Sequence, residues 1–134
     1  MAAQTLKDKV VLITGGAKNL GGLISRKFAE QGAKLAIHYN SESSKADAEK
    51  TLAEVKALGI DAILLQADLS SIDRIEELFV KTKQHFGGID IAINTVGRVL
   101  KKPIVDTTEA EFDSMSDINS KIAYFFIQSA GRHL

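Results

Sequence analysis

The residues best able to do chemistry lie in one stretch, Val10 to Gly22 (VVLITGGAKNLGG), where the pairs Gly15-Gly16 and Gly21-Gly22 separate an apolar run from a helical pattern. A short apolar run bounded by glycine predicts a buried strand, and Leu20 to Gln31 predicts the helix that it feeds. A strand, loop and helix of this kind form a phosphate cradle. The first turn of a helix carries unpaired N–H groups and the positive end of the dipole, and glycines admit a pyrophosphate close to that backbone. Other chemistries have less to work with. The chain has no cysteine, which excludes a disulfide scaffold, a thiolate metal site and a cysteine nucleophile together. His38, His85 and His133 do not fall among acids at metal-ligand spacing. In its apolar strand, His38 reads as a packed or hydrogen-bonded histidine. His85 and His133, near helix ends, read as partners of the dipole or of solvent.

The cradle needs a sheet and covering helices to hold it. Val10 to Thr14 is the first strand, apolar on both faces as in a sheet covered on both sides. Leu20, Leu23, Ile24 and Phe28 recur at helical spacing, and Gly32 stands where a left-handed stop is needed. Lys34 to Tyr39 is the second strand, followed by a helix with Ala48, Leu52, Val55 and Leu58 on one face, ended by Gly59. Asp61 to Gln66 is the third strand. Beyond it Ser70 or Ser71 caps a helix carrying Ile72, Ile75, Phe79 and Phe86, which Gly87 and Gly88 stop. Ile89 to Asn94 is the fourth strand. Thr108 and Glu111 then form a capping box for a last helical region running toward Gly131, with Phe112, Ile118, Ile122 and Phe126 on its apolar face.

This alternation predicts an α/β fold, a doubly wound, Rossmann-like parallel sheet of strand order 3-2-1-4. In such a sheet the ligand sits beyond the carboxyl ends of the strands, where the order reverses between strands 1 and 4. The residues there are Thr14 to Gly21, Tyr39 to Ser41, Ala67 to Leu69, and Asn94 to Gly97.

Residues 1–134 fit one domain, large enough for a core and small for a complete dinucleotide enzyme. Lysine plus arginine and aspartate plus glutamate number 17 each, so no net field draws the chain to nucleic acid or to an anionic membrane. There is no apolar signal core at the N-terminus and no stretch near the roughly 18 apolar residues of a membrane span. The expected location is the cytosol. A single proline and no low-complexity tract predict a chain compact throughout.

These residues together resemble the N-terminal, cofactor-binding half of the short-chain dehydrogenase/reductase family. The family's Thr-Gly-x-x-x-Gly-x-Gly is matched by Thr14, Gly15 and Gly21, with Asn19 in place of the middle glycine. Its Asp after the third strand is matched by Asp68, which the resemblance places against adenine, flanked by Ala67 and Leu69. Its Asn-Asn-Ala-Gly is matched at Asn94 and Gly97, with Thr95 and Val96 between them. The FGGID run from Phe86 and the INSK run from Ile118 also fit, the latter placing Asn119 on the family's catalytic asparagine, which kinks its helix and holds a water of the proton relay. If position 19 needs a positive φ, asparagine supplies it better than other non-glycine residues. The N–H of Leu20 would meet the pyrophosphate.

Cofactor choice turns on the end of the second strand, where an NAD-preferring protein would place an acid on the ribose 2′-OH. Tyr39 and Asn40 stand there, Ser41 can donate a hydrogen bond, and Lys18 occupies a loop position where the family often has a base for the 2′-phosphate. NADP is therefore expected over NAD, with Glu42 the one acid close enough to argue otherwise. The resemblance further implies hydride transfer between the nicotinamide and a carbonyl or alcohol, with 3-oxoacyl thioesters among the substrates considered, and a homo-oligomer built partly on the last helix. Family chemistry uses a Tyr-x-x-x-Lys pair, because a phenol of pKa about 10 is a poor base until a cation stabilises the phenolate. Here Tyr39 is followed four residues on by Ser43 and Tyr124 by Gln128, so neither makes that pair. The expectation is a piece of a longer reductase that binds cofactor without turnover, with an open fourth strand that favours association. A non-catalytic dinucleotide-binding or interaction module is the alternative, and another Rossmann-type enzyme such as a methyltransferase a third.

Overall fold

A computed structural model describes residues 4–134. Four strands form one parallel sheet in the order β3-β2-β1-β4, as the alternation implies. They are β1 (Val10–Thr14), β2 (Lys34–Tyr39), β3 (Ala62–Gln66) and β4 (Ile91–Asn94). Their register pairs Val10 with Lys34, Leu35 with Ala62, and Thr14 with Asn94. The last pairing brings the loop after β1 and the loop after β4 side by side at the point where strand order reverses.

Helices α1 (Asn19–Glu30) and α2 (Lys45–Ala57) follow β1 and β2, α3 (Ile72–Phe86) follows β3, and α4 (Glu109–Ser116) and α5 (Ile122–His133) come after β4. Two cores result, one on each face. Leu12 and Ala36 pack with Ile75, Phe79, Ile122 and Phe126 on one face, while Val11, Ile13, Leu35 and Ile37 pack with Ala29 and Val55 on the other. Alternate residues of β1 thus serve opposite cores, which is why that strand carries no outward polar position.

The helix termini follow the glycine positions, with Gly32, Gly59 and Gly87 all at positive φ. Other boundaries differ from expectation. The fourth strand begins at Ile91, because Asp90 spends its carboxylate on the Val10 N–H, at 2.9 Å, before regular pairing starts. Ser71 is the N-cap of α3 but its side chain caps nothing; the local turn is closed by Asp68, whose carboxylate accepts from the Ser70 N–H at 3.0 Å. Gly131 does not end the last helix, which continues to His133.

Of the apolar face assigned to α1, Ile24 and Phe28 pack against the core but Leu20 and Leu23 do not. Leu20 is 64% exposed and Leu23 46%, whereas Gly21, Gly22, Ser25 and Ala29 are the buried residues of the helix. Small side chains let α1 approach the sheet closely, and the larger Leu20 and Leu23 are left outside. His133 departs as well: it stacks on Phe79 with ring centroids 5.7 Å apart and meets Glu76 on α3, rather than serving the dipole.

Candidate functional site

Beyond the carboxyl ends of the strands lies a cleft of about 280 Å³, bounded by Gly15 and Ala17 to Gly21, by Tyr39, Asn40 and Ser44, and by Thr95 to Gly97. A second cavity of about 300 Å³ continues it past Asn40 toward Asp68, Leu69, Gly97 and Arg98. Three of the four strand-end segments therefore meet in the first cleft and the fourth opens into the second.

The loop between β1 and α1 is shaped by sterics that only glycine satisfies. Gly15 has φ +64°, and a Cβ on Gly21 would fall 1.8 Å from the Gly15 carbonyl oxygen. Asn19 has φ 53°, in the left-handed region, as its place in the glycine pattern implied. Lys18 is the N-cap of α1, makes no side-chain capping bond, and is followed by no acid in the first turn. The helix thus presents its unneutralised positive end and an exposed lysine to the cleft. Leu20 is exposed at the same rim.

Asn94 acts beneath this surface. Its Oδ1 accepts from Thr14 Oγ1 at 2.6 Å and from the Val96 N–H at 3.1 Å, tying β1 to the turn after β4. Thr95 adds a second tie, donating to the Thr14 carbonyl at 2.7 Å. Thr95 also lines the cleft, within the Asn94 to Gly97 segment expected at the strand ends. Ala67 is buried and lines neither cavity, its N–H donating to the Tyr39 carbonyl at 3.1 Å; Leu69 is buried but reaches the second cavity. Hydrogen bonds from Ser70, backbone then side chain, hold the Asp68 carboxyl below the usual range, so it is an anion at the second cavity.

Two more candidate residues have hydrogen-bond partners of their own. The Ser41 hydroxyl pairs with Ser43 at 2.9 Å, and Ser44 takes the cleft-lining position. Asn119 is exposed, and its amide is bonded at both ends to one backbone: Oδ1 accepts from the Arg98 N–H and Nδ2 donates to the Arg98 carbonyl, each at 2.8 Å. It lies in a π-helical turn, Asp117–Lys121, that interrupts the run from α4 to α5. Such turns leave the regular backbone hydrogen-bond ladder locally broken.

Glu42, the acid that could have argued for a ribose hydroxyl, has an 87% exposed side chain and lies 3.8 Å from Lys45. It is not among the residues lining either cavity. No group of acids and histidines among the described residues could hold a metal. No helix among them is long and apolar enough to cross a membrane.

A parallel 3-2-1-4 sheet with a glycine-shaped anion cradle at its switch point defines a Rossmann-type nucleotide-binding protein. The short chain dehydrogenase family model matches residues 9–134, and the chain belongs to the short-chain dehydrogenase/reductase family. A Burkholderia cenocepacia protein crystallised with bound NADP is 61% identical, with a TM-score of 0.93 over 99% of this chain and 51% of that one. A short-chain dehydrogenase from Oenococcus oeni is 48% identical, with a TM-score of 0.84 over 96% of this chain and 58% of that one. A short chain dehydrogenase of Claviceps purpurea is 36% identical over 96% of this chain and 48% of its own length. The chain spans about half the length of the curated relatives it matches.

Proposed function

We propose that this chain supplies the cofactor-binding part of an NADP-dependent oxidoreductase acting on a carbonyl or alcohol. The observation that carries this is the cleft itself, where the open N-terminus of α1, with Lys18 at the N-cap position, faces the acid-free end of β2 at Tyr39 and Asn40. NADP supplies hydride chemistry when bound. In this reading Gly15, Asn19 and Gly21 shape the turn, and the Leu20 N–H meets the pyrophosphate. Lys18, with Asn40 and Ser41 or Ser44, takes the 2′-phosphate. Ala67, Asp68 and Leu69 hold the adenine, and Asn94, Val96 and Gly97 shape the wall beside the nicotinamide ribose. Asn119 acts at one remove, holding Arg98 and with it the turn after Gly97; a water held for proton relay would meet the backbone freed by the π-turn. The NADP bound by the Burkholderia protein of similar fold supports the choice of cofactor.

The second reading is a dinucleotide-binding module, for which the same cleft serves without turnover. Assay of the purified chain against small carbonyls and a 3-oxoacyl thioester separates the two. The half-buried β4 at one edge of the sheet and the exposed Tyr124 and Ile127 of α5 support self-association, which sedimentation would reveal.

Titration with NADPH, NADH and an S-adenosyl compound tests the cofactor assignment directly. A hydrogen bond to a charged group contributes about 1.5–3 kcal/mol, so Lys18→Glu should weaken NADPH by about tenfold or more while changing NADH much less. Equal losses for the two dinucleotides would remove Lys18 from the 2′-phosphate site.

A further inference from the structure

His38 occupies an unusual place in this fold. It is 1% exposed, at the penultimate position of β2, yet its ring joins two walls of the cleft. The Gly15 N–H donates to Nδ1 at 3.0 Å, and Nε2 lies 2.8 Å from the Ala67 carbonyl. A carbonyl can only accept, and a backbone N–H can only donate, so the partners fix the ring as the neutral tautomer protonated at Nε2. The His38 carbonyl also accepts the Gly16 N–H at 3.0 Å. One residue therefore holds the first two amides of the glycine loop.

The next carbonyls of that loop are held by other buried hydroxyls. Ser25 Oγ lies 2.8 Å from the Gly16 carbonyl, and Thr51 Oγ1 on α2 donates to the Ala17 carbonyl at 2.6 Å. Among these anchors only His38 can change its donor pattern. Protonated imidazole donates at both nitrogens, so Nδ1–H would point at the Gly15 N–H and that bond would be replaced by repulsion.

We propose that His38 is a positioning residue of the dinucleotide site, whose neutral ring clamps the glycine loop to the Ala67–Leu69 turn and so makes cofactor binding depend on that ring being uncharged. This rests on the cofactor reading given above. Burial favours the neutral ring, and it outweighs the opposing pull of the Ala67 carbonyl. β1 (VVLIT) and β3 (AILLQ) carry no titratable side chain. The charged groups lining the same two cavities are Lys18, Asp68 and Arg98, and neither partner of the ring is among them.

The test compares NADP⁺ affinity of the purified protein and its His38→Asn variant by calorimetry from about pH 8 down through the ring midpoint located by ¹⁵N spectra of His38, with the Gly15 amide followed in the same spectra. Asparagine keeps an acceptor near Gly15 and does not titrate. The variant also corrects for the ligand, whose own phosphate titrates near a pKa of about 6. The expected result is a wild-type Kd that rises relative to that of His38→Asn as pH falls, toward a limit of about tenfold per pH unit below the ring's pKa. Parallel profiles for the two proteins would overturn the proposal. If His38→Asn fails to fold, the wild-type spectra decide. An Nε2–H ring whose protonation shifts the Gly15 amide at the same midpoint supports the clamp, and an Nδ1–H ring or an indifferent amide refutes it. Wild-type protein that binds no NADP⁺ at any pH would instead refute the cofactor reading, with the ring tautomer and Gly15 amide still deciding whether His38 holds the loop.

Discussion

Single side chains in this protein matter mostly through the backbone they hold. Asn94 is the clearest case: one oxygen serves both the Thr14 hydroxyl and the Val96 N–H. Asn94→Ala removes both bonds at a half-buried site, leaving the Val96 N–H unpaired and the Thr14 hydroxyl only the Ile93 carbonyl at 3.4 Å. Leaving a buried donor unsatisfied costs about 1–3 kcal/mol, so a loss of at least that size is expected in denaturant unfolding. Asn94→Asp, which retains the acceptor, should lose less. The binding segments at Tyr39 to Ser41 and Asn94 to Gly97 were readable from residue order alone, because a parallel sheet places its ligand at strand ends whatever the side chains. The tie made by the Thr95 hydroxyl was not, since it forms only when β4 lies beside β1 in the observed register.

Among the elements, α4 shows how a local motif is completed by a distant residue. Thr108 and Glu111 form the capping box that their spacing implied. Lys102 then joins it, donating to Glu111 Oε1 at 2.8 Å from the loop before the helix. That bond, with those from Thr108, lowers the Glu111 pKa from 4.5 to about 2. A carboxylate depressed in the folded state contributes stability that is complete above its unfolded value and is lost as pH falls through the folded one. The Thr108 amide resonance should therefore hold its capped position down through pH 4.5 and move only near about 2. Lys102→Met should bring that midpoint back up toward 4.5, and an unchanged midpoint would remove Lys102 as the main cause. On α1 the expected apolar stripe at Leu20 and Leu23 failed for a related reason. Helical spacing shows which residues share a face, but the closeness demanded by Gly21 and Gly22 selects a different face for burial.

At the level of the whole molecule, the sheet is held between two cores that meet only through the strands. Phe79 is the largest fully buried side chain and joins α3 to α5, with its ring 5.2 Å from that of Phe126 and stacked on His133. Phe79→Ala should cost about 3–5 kcal/mol in thermal or denaturant unfolding, the usual range for emptying an aromatic core site. The glycine loop rests on the other side of the sheet, held by Ser25 of α1 and Thr51 of α2, whereas Ala67, Leu69 and Val96 share the Phe79 core. A folded variant should therefore keep the Gly15 and Gly16 amide positions while those of Ala67 to Leu69 move, and amide spectra that shift equally at both would mean that the two faces are coupled more tightly than their contacts imply.

The strand cores, the helix stops at Gly32, Gly59 and Gly87 and the left-handed Asn19 follow from patterns within a few residues, and the sheet order from the alternation of strands and helices along the chain. Hydrophobic period and φ sterics act locally, so the linear chain is sufficient to specify them. The grip on the cradle is of another kind. His38 reaches Gly15 across 23 residues and Ala67 across 29, while Thr51 reaches Ala17 across 34. Such bonds exist only once β2 lies between β1 and β3 in register, because hydrogen bonds need their atoms within about 3 Å and no local pattern encodes that meeting. The glycine loop was evident from its residues; what holds it in shape became evident only from the fold.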